Sequence, residues 1–367
     1  MKIRSLEPLA ISLPMTEPMK MAGVELRAAD NVLVRIETER GAVGWGEAAS
    51  APTMTGELVA GIVAAIRHLA SALVGRSFDS IEAACALMDV QLYGNSSAKA
   101  AIDMALHDAL GRERGVPVYE LLGGARRTQV AMLRMLGSGV SERDCADAER
   151  LKAEGYVAWK IKVGVNEPDY DAERTRSICR VLGAGHLISA DANQGWTREQ
   201  ALRYLRGVEG SRLDFFEQPV DAADLEGMAA IARATSIGVG ADEGLHTLDD
   251  IRRHYEKGAI RGGSLKTIKL GGLRRVMAAA ELCESLGLEV NLACKIAESG
   301  IASAAVLHLA AAVPSVRWGV SLSSQYLAHD VIREPLAIAG GHARIGSGPG
   351  LGIEVDETRV RRFAAAV

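Results

Sequence analysis

Lys160 and Lys162 stand two residues apart in a segment, 158–164, that reads as a short strand. Side chains alternate along a strand, so both ammonium groups leave it on the same face. Two cations so placed repel, which favours loss of a proton from one of them. Lys162 is therefore a candidate general base, with Lys160 lowering its pKa. The same pattern also fits an edge strand carrying solubilising lysines, so the pair takes its meaning from the charged residues further along the chain. Asp191 and Asn193 come next, then Glu217 before Gln218 and Pro219, then Asp242 with Glu243, then Lys266 and Lys269. The spacing is close to one charged group every ~25 residues, the length of one β/α unit.

Three carboxylates brought together in a partly dry cavity repel strongly unless a cation lies among them. Asp191, Glu217 and Asp242 offer only oxygen, which suits a hard ion such as Mg²⁺, with Mn²⁺ as the alternative. Helix capping would account for Asp191 or Asn193 singly, but not for Glu217 before Gln-Pro or for three acids in register. A cation gripping a substrate carboxylate lowers the pKa of the adjacent C–H by stabilising enolate charge, and a lysine can then remove or return that proton. Asn193 and Glu243 are placed to orient the ligands and lysines.

These groups need a scaffold that repeats. From residue 128 the chain alternates between strand-like and amphipathic helical patterns. Eight strand-like runs (130–136, 158–163, 187–192, 213–217, 238–243, 265–270, 289–293 and 316–322) predict an α/β fold, a modified TIM-like (β/α)8 barrel. In that architecture catalytic groups sit at the C-terminal strand ends, and the second and sixth strands face each other. Lys162 and Lys266 would then flank whatever binds, one on each side.

The first third reads differently. Residues 1–50 predict an antiparallel meander with a tight turn at Glu39, Arg40 and Gly41. Helical periodicity takes over at 56–73, 80–92 and 98–114. Together they make an α+β capping domain, 1–125, ahead of the barrel, 126–330, and a return segment, 331–367, expected to pack on the cap. Residues 15–30 are polar, Met-rich and without clear period, and read equally as a surface loop or a mobile lid.

Composition limits the function classes. The 367 residues are 48% hydrophobic, enough for a sizeable core in two domains, and 42 basic against 46 acidic residues leave a net charge of −4. With the basic residues dispersed, neither a nucleic-acid partner nor an anionic membrane surface is expected. Five cysteines (Cys85, Cys145, Cys179, Cys283 and Cys294) form no Cys-x-x-Cys pair and read as reduced thiols. The start lacks a signal peptide's apolar run, and the most apolar stretch, 300–313, is short for a membrane span and reads as an Ala-rich core helix. A cytoplasmic protein is expected.

With its Lys-x-Lys, Asp-x-Asn, Glu-Gln-Pro, Asp-Glu and Lys-x-x-Lys-x-Gly-Gly (Lys266 to Gly272) series, the whole chain resembles the muconate lactonizing enzyme subgroup of the enolase superfamily. The resemblance implies Asp191, Glu217 and Asp242 as metal ligands and Lys162 and Lys266 as the acid/base pair. Lys160 would touch the substrate carboxylate, and residues 15–30 and 49–55 would close as a lid. It also implies a small carboxylate substrate and a homo-oligomer. The chain departs from the mandelate racemase subgroup, which has a His near the end of the seventh strand. Here that run is Asn291, Leu292, Ala293, Cys294 and Lys295. It lacks the Asp-x-Asp that dipeptide epimerases carry on the eighth strand, where Gly319, Val320 and Ser321 stand, so that activity is not expected. Lys295 replaces a small residue or Met and could meet a further anionic group, although a surface lysine fits equally. Glu298 matches a subgroup acid, and Ser321, Ser323 and Ser324 could bond substrate; without a neighbouring His they are not nucleophiles. His246 reads as a solvated loop residue, and Trp45 and Trp159 as packing.

The leading expectation is a metal-dependent isomerase acting beside a carboxylate, a muconate-type cycloisomerase. Racemisation or epimerisation of an amino-acid derivative of the N-succinyl type uses the same groups, as does a syn-dehydration like that of o-succinylbenzoate synthase. From other classes come a Schiff-base lysine aldolase and a non-catalytic barrel.

Overall fold

A computed structural model describes residues 1–21 and 24–366. The cap opens with an antiparallel sheet of β1 (Ile3–Met21), β2 (Val24–Thr38) and β3 (Val43–Ala49), in that order. The expected turn at 39–41 joins the last two. The described residues of 15–30 form strand rather than irregular loop, and those on the second strand cover the central cavity, where the lid expectation placed them. The stretch prolongs the β1–β2 hairpin beyond a register shift between Pro14 and Met19, with Met19 opposite Leu26. Thr16, Glu17 and Pro18 are all exposed, so no buried face imposes a period-two pattern on that half of the hairpin. On the other half Leu26, Ala28 and Asp30 alternate onto the wall of the central cavity. Ala22 and Gly23, which fall within that stretch, lie outside the described residues.

Helices α1 (Val59–Leu73), α2 (Ile81–Gln91) and α3 (Ser96–Arg114) cover the sheet. The α3 face is mostly alanine (Ala98, Ala101, Ala105, Ala109), and β3 meets it with Gly44 and Gly46. A Cβ at Gly46 would run into the Ala101 carbonyl and one at Gly44 into that of Ala105, so this strand and helix approach closely only because neither glycine has a side chain.

After α4 (Val118–Leu121) and β4 (Gln129–Ala131) come the eight parallel barrel strands: β5 (Leu133–Leu136), β6 (Ala158–Lys162), β7 (Leu187–Asp191), β8 (Phe215–Glu217), β9 (Gly238–Ala241), β10 (Gly262–Leu265), β11 (Glu289–Ala293) and β12 (Val320–Ser321). They pair in sequence order, and a parallel bridge from Met132 to Val320 joins the two ends. Helices α5 (Ser141–Ala153), α6 (Pro168–Leu182), α7 (Arg198–Gly207), α8 (Leu225–Arg233), α9 (Leu248–Glu256), α10 (Thr267–Leu270), α11 (Leu273–Ser285) and α12 (Gly300–Ala312) connect them. At the end of the barrel away from the charged residues, Trp318 stacks on Phe215 with centroids 4.1 Å apart. Gly240 and Gly262 leave it room, since a Cβ on either would lie 2.7 Å from the indole.

Two strand expectations are corrected. The first, 130–136, splits: β4 leaves the barrel and pairs with β14 (His342–Arg344), itself paired with β13 (Ile338–Ala339). The sixth, 265–270, ends at Leu265, and 267–270 form the single helical turn α10. The tail also bonds to the cap, where Val118 N–H donates to Gly350 O and Ala365 N–H to Ala10 O at 2.9 Å, flanking α13 (Glu357–Arg362). All five cysteines are free. Among the described residues no helix is long and apolar enough to cross a membrane.

The α12 helix is buried along its whole length. His308 within it accepts the Tyr119 N–H at Nδ1 (3.3 Å), and burial holds its pKa down at about 4. Below about pH 6.5 the unfolded chain therefore takes up a proton that the folded chain refuses until about pH 4. His308 should cost stability progressively across that window, on the order of 3 kcal/mol at its acid end. In urea titrations between pH 7 and 4, His308→Gln, which keeps the acceptor, should flatten the fall in the midpoint. Gly46→Ala should lower stability by about 3 kcal/mol, because backbone must move against backbone; thermal unfolding against the parent chain measures it.

Candidate active site

Strand pairing builds the site. Lys162 pairs in register with Asp191, Asp191 with Glu217, and Glu217 with Gly240, two residues before Asp242. The parallel ladder therefore lines these side chains up at the C-terminal rim. Above them lies a cavity of about 290 Å³, walled by Lys160, Lys162, Asp191, Asn193, Asp242, Glu243, Lys266, Lys295 and Ser321. Lys162 and Lys266 enter it from β6 and from just beyond β10, four strands apart round the barrel. The cap closes the top with Leu26, Ala28 and Asp30 from β2 and with the segment 50–54.

Each acid is matched to an amine. Lys160 Nζ donates to Glu217 Oε2 at 2.5 Å and lies 3.7 Å from Asp191 Oδ2. Lys162 Nζ donates to the same Asp191 oxygen at 2.6 Å and to Asn193 Oδ1 at 2.7 Å. Lys266 donates to Asp242 Oδ2, and Lys269 to Asp242 Oδ1 at 2.6 Å. Lys160 and Lys162 leave β6 on one face, as expected, but Asp191 Oδ2 sits within reach of both and screens their repulsion. Burial works against the charged form of Lys160, but Glu217 and Asp191 outweigh it and raise its pKa. Burial likewise opposes ionisation of Asp242, yet the Lys266 and Lys269 ammoniums hold its carboxyl far below the usual range. Turned onto amines in this way, the acids form no ready cage: among the described residues, no three His, Cys, Asp or Glu side chains are grouped to hold an ion.

Unusual backbone holds the strand ends. Asn193 (φ 43°) and Gln218 (φ 35°) adopt left-handed conformations. Gln218 Oε1 accepts the N–H groups of Asp242 (2.9 Å) and Gly244 (3.2 Å), tying the ends of β8 and β9 together. Asn193 Nδ2 donates to Glu243 Oε1 at 3.1 Å, and burial with the nearby Asp242 and Asp191 pushes Glu243 up to about 7. Ser264 Oγ donates to Glu217 Oε1 at 2.7 Å. Gly164 (φ 95°) passes so near the Ala192 carbonyl that a Cβ would lie 2.6 Å from its oxygen.

The remaining expected residues divide. Lys295 and Ser321 line the cavity, whereas Glu298 is buried away from its wall and accepts the Lys295 N–H at 2.9 Å. Burial and the neighbouring Glu47 raise Glu298 to about 8. Ser323 lines the cavity with its hydroxyl bonded to Glu298 O (2.8 Å), and Ser324 begins a 3-10 turn. His246 is part-buried rather than solvated, with Nε2 3.0 Å from Glu243 O. Trp45 and Trp159 are packed in the core.

Sequence reasoning missed Lys269, Ser264 and Gln218 as parts of the site and Tyr326 as part of its wall, whereas Met54 falls in the expected lid segment 49–55. Lys269 was hidden by the strand reading: on a strand it would point away from Lys266, but one helical turn puts both on Asp242. Nothing in the sequence around Tyr326 singles it out.

A barrel carrying opposed lysines over a ring of acids, under an α+β cap, defines the enolase-type class of acid/base enzymes. The chain belongs to the mandelate racemase/muconate lactonizing enzyme family of the enolase superfamily and is an enzyme of it. Residues 8–123 match that family's N-terminal domain and 143–359 the enolase C-terminal domain-like model. An L-Ala-D/L-Glu epimerase of Clostridium acetobutylicum is 36% identical over 307 residues, covering 82% of this chain and 84% of the relative. The muconate lactonizing enzyme of Pseudomonas fluorescens, solved with muconolactone, superposes with a TM-score of 0.95 at 30% identity over 99% of both chains. The N-succinyl Arg/Lys racemase of Bacillus cereus also gives 0.95 at 30% identity, over 100% of this chain and 99% of its own.

Beneath Lys162, buried Arg174 donates to the Lys162 carbonyl, to Asp144, and through Nε to Asp171 Oδ1 at 3.2 Å; Asp171 in turn accepts the Gly164 N–H at 3.0 Å. Arg174→Met would strand two buried carboxylates and should cost about 3–5 kcal/mol, measured by chemical unfolding. At permissive temperature kcat should fall more than KM rises, because the end of β6 loses its anchor.

Proposed function

We propose that this chain is a divalent-metal-dependent isomerase that moves the proton on the carbon next to a substrate carboxylate, with muconate-type cycloisomerisation as its particular reaction. One observation carries the reading: Lys162 and Lys266 reach a single cavity from opposite walls, above acids on three adjacent strands. Asp191, Glu217 and Asp242, each about 1% exposed, offer only oxygen, the donor type of a hard ion such as Mg²⁺, and would have to turn from their lysines to hold it. Such an ion would supply positive charge against the substrate carboxylate and so acidify the neighbouring C–H.

The chain's own residues do the rest. Lys160 stands beside Glu217 and Asp191, whose charges favour its ammonium form, and would orient the substrate carboxylate. Lys162 and Lys266 each sit on one face of the bound carbon, one taking the proton and the other able to deliver it. Asn193 holds Lys162 in place at 2.7 Å, and Lys269 keeps Asp242 charged beside Lys266. The cap residues Leu26, Ala28 and Met54 roof the cavity and exclude water.

A second reading, racemisation or epimerisation of an amino-acid derivative, is favoured by the presence of an amine on both faces, since a cycloisomerase needs only one. Dipeptides fit less well: at the position of the expected acidic pair, the last strand presents Val320 and Ser321 after Gly319.

Turnover of cis,cis-muconate to a lactone tests the leading reading, and a panel of N-succinylamino acids in D₂O tests the second. Lys162→Ala and Lys266→Ala should each reduce turnover at least ~10³-fold, beyond the 10²–10⁴ range's lower edge for one acid/base group. For a racemase, each variant should still exchange deuterium into one enantiomer only; a product lacking water would instead indicate dehydration. Chelation by EDTA should abolish activity and Mg²⁺ or Mn²⁺ restore it. Activity that survives chelation and is trapped by borohydride would replace this reading with Schiff-base chemistry.

A further inference from the structure

Four lysines line the cavity, and three are spoken for. Lys160, Lys162 and Lys266 each touch a carboxylate, whereas Lys295 Nζ has no carboxylate within bonding distance among the described residues. Glu298, the acid nearest in sequence, bonds the Lys295 backbone N–H instead and leaves its Oε1 buried without a partner. On the neighbouring strand Ser321 Oγ also lines the cavity, buried and unpartnered. The two are close in the fold: Ala293 pairs with Ser321, and the Cys294 N–H donates to Ser321 O at 2.8 Å, immediately before Lys295.

Among the described residues neither the amine nor the hydroxyl has a hydrogen-bond partner in this largely apolar cavity, and the charges of Glu298 and Asp30 offset the desolvation of Lys295 only in part. Both are donors, so the group that would complete them is an acceptor, and the amine makes an anion the best one. We propose that Lys295 Nζ and Ser321 Oγ form a second anion subsite, which takes the far carboxylate of a dicarboxylate substrate while the near one is held at Lys160 and its neighbouring carbon lies between Lys162 and Lys266. Leu133, Met135 and Ile296 supply apolar wall for the carbon chain between the two ends. The subsite rests on the α-carboxylate reading above and narrows its substrates to diacids.

Burial lowers Lys295 to about 8, with Lys266 acting in the same direction and Glu298 and Asp30 opposing it. Asp30 faces it from the cap, exposed and bonded by Ser12 Oγ at 2.7 Å. A carboxylate arriving at Nζ favours the ammonium form, so binding near pH 8 should take up a proton.

Calorimetric titration with two unreactive probes, adipate and hexanoate, in the presence of Mg²⁺ tests this. The parent chain should bind adipate about tenfold more tightly than hexanoate, the value of one charge-assisted contact. At pH 8, buffers of different ionisation enthalpy should reveal uptake of roughly half a proton for adipate and little for hexanoate. Lys295→Met should abolish both the preference and the uptake while leaving hexanoate affinity within about twofold, and Lys295→Arg should keep the preference without the uptake. Equal affinities in the parent chain, or a preference that survives Lys295→Met, would overturn the subsite. Hexanoate bound only with Mg²⁺ present but no tighter adipate would sink the subsite alone and leave the α-carboxylate reading standing. Failure of both acids to bind would remove the two together.

Discussion

Buried charge of one sign must be answered by charge of the other, and the barrel rim is organised by that requirement. A parallel ladder forces Asp191 opposite Glu217 and brings Asp242 to the next strand end, all nearly inaccessible to water. Left alone, such a ring would protonate or open. Four amines answer it: Lys160 and Lys162 from one strand, Lys266 and Lys269 from the turn after another. Two of these ammonium groups, Lys162 and Lys266, are the ones proposed to handle protons.

The cap is more than a roof. Asp103 on α3 accepts the Leu273 N–H at 2.5 Å, where α11 starts, and Gly272 (φ 133°) is needed because a Cβ there would lie 2.6 Å from that carboxyl group. Glu47 on β3 accepts from the N–H and hydroxyl of Ser299 (2.8 and 2.6 Å) and from the Ala302 N–H (3.1 Å), at the start of α12. Cap carboxylates thus terminate the two barrel helices that come after Lys266 and Lys295, where negative charge and unpaired N–H groups suit each other. Asn31 adds a bond from β2 to Glu47 (2.7 Å) and to the Ala297 carbonyl (2.8 Å). The cap strand that carries Asp30 is therefore coupled to the loop that carries Lys295.

Much of this was legible in the chain itself, for reasons that differ by element. The β/α repeat shows because each buried strand and amphipathic helix leaves its own periodicity. The acids and lysines show because they recur at that repeat length, which chance placement rarely does. The hairpin at 15–30 did not show, since its exposed first half carries no alternation and its second half alternates over only a few residues. The split of 130–136 between two sheets did not show either: β4 turns away to meet β14, a strand some two hundred residues later, and such a partner leaves no local mark.

Residue types and their spacing by themselves determined the kind of chemistry, the barrel and its cap, and which side chains meet at the rim, because strand alternation and repeat length are local properties that the backbone converts directly into direction. Only the tertiary structure decided how the charges pair. It put Asp191 between two lysines, bent the chain after Leu265 so that Lys269 joins Lys266 on Asp242, set Glu298 away from the cavity, and left Lys295 facing it with no bonded counterion among the described residues. Those outcomes depend on distances between groups far apart in the chain, which packing sets and no window of sequence contains.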